Sequence, residues 1–593
     1  MKPIREWKEE LARVVPGDAA ELIEGRDGQP TLKIGKVYLH SRYNPREEAT
    51  RLIDSAELDV KRPILVIGLG LGYHIAELVS RGAKSVAVLE PDAGVAKLAI
   101  EAGPVRDLDV LVGVGDVDAL TATAGFQTFV SRLPQVLVHP PTAHIHPEFC
   151  VSATQAVTRT ALSGRRLHVA VVGPMYGGSL PIAGYLERAF RKLGHQTLFV
   201  DHSEAWSLYG SVTKTVKTKR ASGQLGNLFT NLLSEWTYAR VAEFAPDICI
   251  VMAQAPVSPS FPLRLSKEGI VTAYWYVENW RHLPYWREIA PYYDFFFHIQ
   301  PGEFEDKLAE AGCPAQAYVQ TACDPEIHRP VKLTGEEQRE FGCDISFAGA
   351  GYHNRVQVFC GLTDYRFRIW GVDWPGRVLQ SLLCRPDERF TPETFAKVVA
   401  GSKINLNLHS STTHDGVDPK CDAINPRVFE IAACGGFQLC DPCIGLDRLF
   451  DFDRELPVYR DLRELREKID YYLAHPEARA EIAARARDRV LRDHTYENRA
   501  TEMLDCITNR YGARILRKGV RVQRTCAEVA ARVGKETVLG KYLASLPTDL
   551  MFTHENINAR LPRACVSLTY PEKVFVYLRE LREFAETLIE MRS

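Results

Sequence analysis

The chain has 593 residues, of which 46% are hydrophobic and 25% charged, and its formal net charge is −2. This length exceeds what one hydrophobic core organises, so several domains are expected. The balanced charge, without a basic stripe, argues against a nucleic-acid-binding protein. The sequence also has no apolar run of the roughly 18–20 residues that a membrane-spanning helix needs, and its charged N-terminus, MKPIREWKEELARVV, lacks the apolar region of a signal peptide.

The 14 cysteines are scattered, and several, such as Cys249 and Cys343, fall within predicted core strands. Reduced cysteines behave there as small hydrophobic residues, so we expect a cytoplasmic protein. The CxxC pair Cys440 and Cys443 is interpreted as core or turn residues. A metal site would need a second ligand pair at a regular spacing, and the sequence shows none, so no metal site is predicted.

Short apolar runs alternate with amphipathic helical stretches, which is typical of parallel α/β domains. In the first domain, residues 1–165, a buried strand over Ile64–Ile67 leads through a glycine turn into a helix from Tyr73. Glycine turns at helix starts bind anions, and an acid about 20 residues later contacts ribose in nucleoside-binding domains. This spacing resembles the S-adenosylmethionine pocket of methyltransferases. The candidate pocket residues are Gly68, Gly70, Gly72, Glu90 and Asp116. The alternative is a Rossmann-like domain whose glycines only permit close packing.

The second domain is predicted to span residues 166–332. A strand over Val169–Val172 leads through Gly177 and Gly178 into a helix that ends at Gly194. Further strands are predicted at Leu198–Val200, Ile248–Met252, Val271–Tyr276 and Phe295–Ile299. This pattern indicates a second doubly wound domain.

The third domain is predicted to span residues 333–505 and opens at DISFAGAGYHNR, residues 344–355. Its later strands are predicted at Phe367–Trp370, Ile404–Leu408 and Phe437–Leu439. A long helical run closes this domain, and residues 506–593 form a charged helical segment. Two consecutive Rossmann-like domains that face each other form a cleft at the carboxyl ends of their strands, where ligands bind in open α/β folds.

The segment NPRVFEIAACGG, residues 425–436, places two opposite charges at the start of an apolar helix. Asn425 is predicted as its N-cap and Pro426 as a first-turn residue. Arg427 would then clamp phosphate oxygens, and Glu430, which only accepts hydrogen bonds, suits a ribose diol. The alternative is an i,i+3 surface ion pair worth about 0.2–0.5 kcal/mol.

These motifs, in this order, resemble glycosyltransferases of the GT-B fold, and the CgeB-like group in particular, over residues 166 to about 505. In retaining GT-B enzymes an acid, seven residues and a glutamate precede an ACG-type helix end, and here Asp422 stands eight residues before Glu430. The resemblance implies that Glu430 holds the donor ribose and Asp422 the sugar hydroxyls, although the usual first acid is glutamate. It also implies a nucleotide-diphosphate sugar donor, with UDP as the commonest nucleotide, and retention of configuration without a metal or other required cofactor.

Other segments match the same family in order. GAGYHNR, residues 349–355, resembles the phosphate-facing loop, and KINLNLHSS, residues 403–411, resembles a donor-domain strand. The donor-binding set so implied is Glu430, Arg427, Arg355, Asn425, Gly349, Gly351, His409, Gly177 and Gly178. Arg355 has the alternative of a solvated helix-start arginine, and His409 that of a satisfied histidine at a strand end. The DxD motif at Asp451 and Asp453 follows the donor helix and is rejected as a metal site.

An inverting reaction would instead need a general base from the second domain. The candidates are His202 and Glu278, which join Asp422 as the predicted catalytic residues.

The segment KVYLHSRYNPREEATRLI, residues 36–53, followed by GLGLGYHI, resembles motility-associated factor proteins, a family linked to flagellin glycosylation. This resemblance implies a protein acceptor such as flagellin, with a glycan as the other acceptor class. Two competing functions stay open: a methyltransferase or bifunctional enzyme that uses S-adenosylmethionine in the first domain, and a non-catalytic nucleotide-sugar-binding scaffold.

Overall fold

The computed structural model describes residues 1–580 apart from 18–19, 57, 386–388, 520–524, 549, 551, 553–556, 558–559 and 562–567. The chain divides into two compact units, Met1–Leu516 and Arg517–Ser593. The first unit contains three mainly parallel sheets that follow one another along the chain, so the predicted α/β fold of successive Rossmann-like domains is confirmed. Among the described residues, no helix is both long enough and apolar enough to span a bilayer.

The first domain is built on a sheet with the order β1-β7-β6-β5-β8, in which only the edge strand β1 runs antiparallel to its neighbour. A small antiparallel sheet, β2-β3-β4, precedes it. The strands are β1 (Lys2–Pro3), β2 (Ala20–Glu24), β3 (Pro30–Ile34), β4 (Val37–Tyr38), β5 (Ile64–Ile67), β6 (Val86–Glu90), β7 (Leu111–Val114) and β8 (Gln135–Val138). The helices are α1 (Trp7–Leu11), α2 (Pro45–Ser55), α3 (Tyr73–Ser80), α4 (Ala93–Ala102), α5 (Val117–Thr121), α6 (Ala124–Val130), α7 (Pro140–Ile145) and α8 (Pro147–Leu162).

The second domain is built on a fully parallel sheet with the order β10-β9-β11-β12-β13-β14. Its central strands are buried on both faces, which explains their continuous apolar sequences. The strands are β9 (His168–Val172), β10 (Gln196–Val200), β11 (Ile248–Met252), β12 (Val271–Tyr276), β13 (Phe295–His298) and β14 (Gln316–Tyr318). The helices are α9 (Ser179–Lys192), α10 (Ala205–Lys214), α11 (Lys219–Phe244), α12 (Ser260–Lys267), α13 (Trp286–Ile289) and α14 (Glu303–Glu310).

The third domain carries a parallel sheet with the order β17-β16-β15-β18-β19. The strands are β15 (Cys343–Ala348), β16 (Phe367–Trp370), β17 (Leu383–Cys384), β18 (Ser402–Asn407) and β19 (Gln438–Cys440). The helices are α15 (Gly335–Phe341), α16 (His353–Cys360), α17 (Pro392–Gly401), α18 (Arg427–Ala433), α19 (Leu446–Leu449), α20 (Leu462–Ala474), α21 (Pro476–Asp493) and α22 (Tyr496–Gly519). Short 3₁₀ turns lie at Ile4–Glu6, Ala290–Tyr292 and Gln380–Leu382.

Helix α22 returns from the third domain to the second, and it crosses the predicted boundary at residue 505. Its apolar side chains, among them Tyr496, Met503 and Ile507, join the hydrophobic core beneath β9 and β11. The second and third domains are therefore joined twice, by the linker before α15 and by α22. In the second unit, α23 (Cys526–Val533) and α24 (Val538–Ala544) pack around Cys526, Ala530 and Leu543, and residues 570–580 are helical.

Candidate functional site

A cleft of about 660 Å³ lies between the second and third domains. One wall is formed by the loop after β9 and the start of α9, and the other by the loops after β15 and β18 and the start of α18. The predicted residues that line this interdomain cleft are Gly177, Gly178, Gly349, Arg355, Asn425, Arg427 and Glu430. Most of the predicted donor-binding set therefore meets in one place, although its members lie up to 253 residues apart in the sequence, from Gly177 to Glu430.

The charged pair at the start of α18 lies on the wall of the interdomain cleft. Arg427 Nη1 donates a hydrogen bond to Glu430 Oε2 one turn later, and the Glu430 carboxylate is almost completely buried. The other carboxylate oxygen lies 3.7 Å from Nε2 of His328, another cleft residue. The Arg427 guanidinium sits 4.2 Å above the ring of Phe395, which fixes its direction. The pair is thus an i,i+3 ion pair, as the alternative predicted, and it lines the cleft rather than the outer surface.

The segment that enters α18 differs from the prediction. Helix α18 begins at Arg427, and Pro426 occupies the capping position with helical backbone angles and no capping side chain. Asn425 is therefore not the N-cap, and this prediction is wrong. Its side-chain amide instead pairs with that of Asn407 at the end of β18, with N–O distances of 2.8 and 3.3 Å. The predicted helix stop is confirmed, because Gly435 follows α18 with a φ of +76°.

Arg355, in the first turn of α16, is buried rather than solvated. Nε donates to the Leu408 carbonyl at 2.9 Å and Nη1 to the Ala350 carbonyl at 3.0 Å. Its guanidinium also lies 5.0 Å from the ring centres of Phe347 and Tyr352. Burial lowers the pKa of Arg355 to about 10, so it stays a cation at neutral pH, held rigidly at the edge of the cleft.

The four predicted glycines differ in how they relate to the cleft. Gly177 adopts a φ of +108°, which side chains rarely tolerate. Gly351 does not line the cleft, but a Cβ there would lie 2.5 Å from the Asp373 carbonyl oxygen. Gly178 and Gly349 are lining residues without a positive φ. Gly177 therefore allows the turn geometry, and Gly351 allows close packing. Gly178 and Gly349 form part of the cleft wall without a side chain.

The two predicted general bases lie outside the cleft lining. His202 is buried, and its ring nitrogens bond to the Gly173 carbonyl and the Thr237 hydroxyl, each at 2.7 Å. Burial lowers its pKa. Glu278 accepts a hydrogen bond from Gln254 Nε2 at 3.1 Å, and burial raises its pKa to about 7. Glu278 thus keeps its proton to a higher pH than an exposed glutamate does, whereas both ring nitrogens of His202 are engaged in hydrogen bonds.

Asp422 and His409 also lie outside the cleft lining. The Asp422 carboxylate accepts hydrogen bonds from Arg281 and Gln300 of the second domain, each at 2.7 Å. His409 is buried, and its Nδ1 lies 2.7 Å from Asp441 Oδ1. These two predicted site residues make contacts that the sequence did not indicate.

The glycine turn of the first domain is occupied by side chains of the chain itself. Gly68, Gly70 and Gly72 all have positive φ, and a Cβ on Gly70 would lie 2.6 Å from Nε2 of His40. Similar contacts would arise for the other two glycines, from Thr142 and Val105, respectively. The turn is therefore closely packed, as the packing alternative predicted.

The acids of the candidate first-domain pocket are also engaged. Glu90 is buried and accepts hydrogen bonds from the backbone amides of Leu69 at 2.7 Å and Asp92 at 3.1 Å, and burial raises its pKa to about 7. The Asp116 side chain caps α5, because it accepts hydrogen bonds from the backbone amides of Asp118 and Ala119. Both carboxylates hold the backbone of this domain in place.

An aromatic pair at the mouth of the cleft was missed by the sequence analysis. Tyr176 and Trp206 are exposed and stack with ring centres 4.2 Å apart. Across the cleft, Arg389 of the third domain donates to the Tyr176 hydroxyl at 2.8 Å and lies 4.5 Å from its ring centre. In the sequence, only the glycines beside Tyr176 indicated that this loop lies at the site. Its contact partners Trp206 and Arg389 are distant in sequence, so the stacking could not be predicted.

Residues 355–505 match the family model described as Glycosyl transferase-like. This segment is a glycosyltransferase-like domain. The spore protein CgeB of Bacillus subtilis (strain 168) is 25% identical over 264 residues, which cover 41% of this chain and 78% of the relative. Among solved structures, this chain is similar to a sucrose-phosphate synthase from Thermosynechococcus elongatus, with a TM-score of 0.41 and 12% sequence identity. The similarity covers 57% of this chain and 97% of the sucrose-phosphate synthase chain. An E. coli structure described as trehalose-6-phosphate bound with UDP-2-fluoro glucose has a TM-score of 0.39 at 12% identity, covering 58% and 99% of the two chains.

The family match confirms the predicted enzyme class, a glycosyltransferase. The matched segment carries Arg355, Asp422, Arg427 and Glu430. The N-terminal resemblance to motility-associated factor proteins stays a prediction.

Proposed function

We propose that this protein transfers a sugar from a nucleotide-diphosphate sugar, with UDP as the first nucleotide to test, to an acceptor hydroxyl in the interdomain cleft. The observation that carries the proposal is the Arg427–Glu430 pair on the cleft wall. The cleft volume of about 660 Å³ falls within the range of small-molecule sites. Its place at the carboxyl ends of two facing sheets is where open α/β folds bind ligands.

The third-domain wall offers groups of the right chemistry for the donor. Negative charge builds on the diphosphate as the glycosidic bond breaks, so cations held nearby stabilise the transition state. Arg427 and Arg355 supply these cations, and the guanidinium fork of Arg355 carries further N–H donors beyond its two backbone bonds. Glu430, oriented by Arg427 and His328, accepts hydrogen bonds from the ribose hydroxyls.

The second-domain wall offers the surface for the acceptor. Gly177 and Gly178 allow the backbone to approach the transferred sugar. The stacked rings of Tyr176 and Trp206 provide a flat apolar surface for a sugar face or an aromatic side chain. Arg389 bridges the cleft mouth to Tyr176, so acceptor entry opens or displaces this contact.

Retention of configuration is part of the proposal. A general base for inversion must reach the acceptor hydroxyl, and neither His202 nor Glu278 lines the cleft. In a retaining reaction, the leaving phosphate takes the acceptor proton, and no protein base is needed. The Asp422 position, which resembles the sugar-contacting acid of retaining enzymes, is bonded to the second domain in this structure.

The proposed acceptor is a protein hydroxyl, such as one on flagellin. This part of the proposal rests on the resemblance of residues 36–53 to motility-associated factor proteins. Co-expression with a flagellin and intact-mass measurement tests it, since each transferred sugar adds one fixed mass increment. Flagellin that stays unmodified while free glycans are extended would assign a glycan acceptor.

The test of the donor is a panel of UDP-, GDP- and dTDP-sugars, with nucleotide release and thermal shift as readouts. We expect one nucleotide class to be turned over by the wild type and Glu430→Ala to lose at least about 100-fold in kcat/KM, because a charged hydrogen bond to the donor is removed. Glu464→Ala, an acid on α20 outside the cleft lining, serves as the control and keeps full activity. Thermal shift without turnover would favour the scaffold alternative, and a panel without shift or turnover would contradict the proposal.

A further inference from the structure

In the third domain, outside the lining of the interdomain cleft, three side chains with metal-ligating atoms converge. They are His409, which follows β18, Cys421 in the loop before α18, and Cys443, which follows β19. One ligand atom of each lies within 4.8 Å of the other two. The two sulfur atoms are 3.1 Å apart, well beyond the length of a disulfide bond, and both cysteines are free thiols.

The imidazole of His409 is oriented as a metal ligand. Asp441 Oδ1 accepts hydrogen bonds from His409 Nδ1 at 2.7 Å and from the His409 backbone amide at 2.8 Å. Because a carboxylate accepts only, Nδ1 carries a proton, and Nε2 is the ring nitrogen that can bind a metal once it has given up any proton of its own. His409 is 2% exposed, and its Nε2 has no hydrogen-bond partner among the described residues. A buried ring nitrogen without a partner is unfavourable, which points to a ligand missing from the protein atoms alone.

We propose that His409, Cys421 and Cys443 bind a structural zinc ion. Two thiolates and one imidazole are typical zinc ligands, and a carboxylate that holds the far ring nitrogen is the usual support for a zinc-bound histidine. On binding, the two thiols lose their protons to solvent and form two Zn–S bonds. Zn²⁺ with two thiolates and a neutral imidazole has no net charge, which suits a buried position.

Cys440, the other cysteine of the CxxC pair, lies in the same region but is not counted among the three ligands. Cys440 lies with His409 and Asp441 in an overlapping cluster within the same 4.8 Å limit. Cys440 and Cys443 form the CxxC spacing that zinc sites use. The sequence analysis rejected this motif because it looked for a second adjacent pair. The partners are instead single residues, His409 and Cys421, which only the fold brings to the motif.

The ion would hold in place the loop between β18 and α18, which leads into the proposed donor-binding pair. His409 stands near the start of this loop and Cys421 near its end, just before Asp422 and the α18 pair. Zinc that holds both residues to the turn after β19 closes the loop and lowers the entropy of its open states. The site is structural in this proposal and takes no part in the transfer, so it stands whether or not the nucleotide-sugar proposal does.

The test is the zinc content of the full-length wild-type protein, purified under reducing conditions, incubated with zinc and desalted. We expect about one zinc per chain, and less than about one fifth of that in Cys421→Ser and Cys443→Ser, since each substitution removes a thiolate ligand. Cys506→Ser, which changes a free cysteine on α22, is the matched control and keeps the wild-type content.

Cobalt substitution of the wild type makes the test independent of whether the serine variants fold. Cobalt(II) bound by thiolates shows a sulfur-to-metal charge-transfer absorption, and X-ray absorption gives the numbers of sulfur and nitrogen ligands. We expect at least two sulfur ligands and one nitrogen ligand. A wild-type protein without stoichiometric zinc or cobalt, a metal with only oxygen and nitrogen ligands, or a disulfide between Cys421 and Cys443 in the reduced preparation would each overturn the proposal.

Discussion

Arg281 of the second domain donates a hydrogen bond of 2.7 Å to Asp422 of the third domain, and Gln300 donates to the other carboxylate oxygen at the same distance. The acid that sequence resemblance places at the sugar thus joins the second and third domains in this structure. Asp422 comes only three residues before Asn425 and shortly before the α18 pair. One short segment therefore carries both this interdomain contact and the proposed donor-binding pair.

This bond predicts energetic coupling between Arg281 and Asp422. In a double-mutant cycle on Arg281→Ala and Asp422→Ala, measured by chemical denaturation, we expect a coupling free energy of about 1 kcal/mol, kept small because Arg281 is partly solvated. The control cycle pairs Asp422→Ala with Arg287→Ala, which sits on the Trp286 ring, and should show no coupling. Equal coupling in both cycles would count against the contact.

Glu278 predicts a pH-dependent stability. Burial raises its pKa from 4.5 to about 7, so the folded state binds more protons than the unfolded chain between these values, and stability falls as pH rises through this window. Glu278→Gln removes the charge, and we expect it to raise the free energy of unfolding by about 2 kcal/mol at pH 8 relative to its effect at pH 4.5. A flat profile for Glu278→Gln would show that this carboxylate is solvated.

The close packing of the glycine turn in the first domain predicts that alanine at Gly70 lowers the free energy of unfolding more than alanine at an open glycine outside the turn. Gly70→Ala places a Cβ 2.6 Å from the His40 ring at a φ of +51°, and we expect a loss of about 2–4 kcal/mol in unfolding free energy. Gly82→Ala is the matched control, because it has a φ of +95° and no atom within 4 Å of the added Cβ, so only about 1 kcal/mol is lost. Similar losses at both positions would mean that the turn is more open than described.

The aromatic pair at the cleft mouth predicts an effect on acceptor use. Tyr176→Ala removes both the stacking surface and the Arg389 contact, and we expect KM for the acceptor to rise about tenfold while kcat changes less than about threefold. Tyr471→Ala, an exposed tyrosine on α20, should leave both parameters unchanged. An unchanged acceptor KM in Tyr176→Ala would move the acceptor site elsewhere.

Much of the fold follows from local sequence. The predicted strands Ile64–Ile67, Ile248–Met252, Val271–Tyr276 and Phe367–Trp370 coincide with β5, β11, β12 and β16. The strands β5, β11 and β12 are buried on both faces, so their sequences are nearly continuous apolar runs, a signal that does not depend on distant residues. In β16 the partly buried Arg368 interrupts the apolar run. The start of α18 was missed by one residue, because Asn425 bonds its side chain to Asn407 rather than to the helix.

The site was predictable only where a motif is local. The spacing of Arg427 and Glu430 indicated a charged pair near the cleft, whereas the partners of Asp422 and His409 lie in segments that only tertiary structure brings close. Arg281 is 141 residues from Asp422 in sequence, and Asp441 is 32 residues from His409. A single sequence carries no signal for such pairs, since neither partner follows a helical or strand period.

The binding of a nucleotide by the Arg427–Glu430 wall is tested most directly by calorimetric titration of UDP, GDP and dTDP into the wild type and Glu430→Gln. The variant keeps the shape of the side chain and removes its charge. We expect one of the nucleotides to bind the wild type with a stoichiometry near one and the variant at least about tenfold more weakly, which corresponds to about 1.4 kcal/mol. Equal affinities for wild type and variant, or no heat of binding with any of the three, would contradict the account.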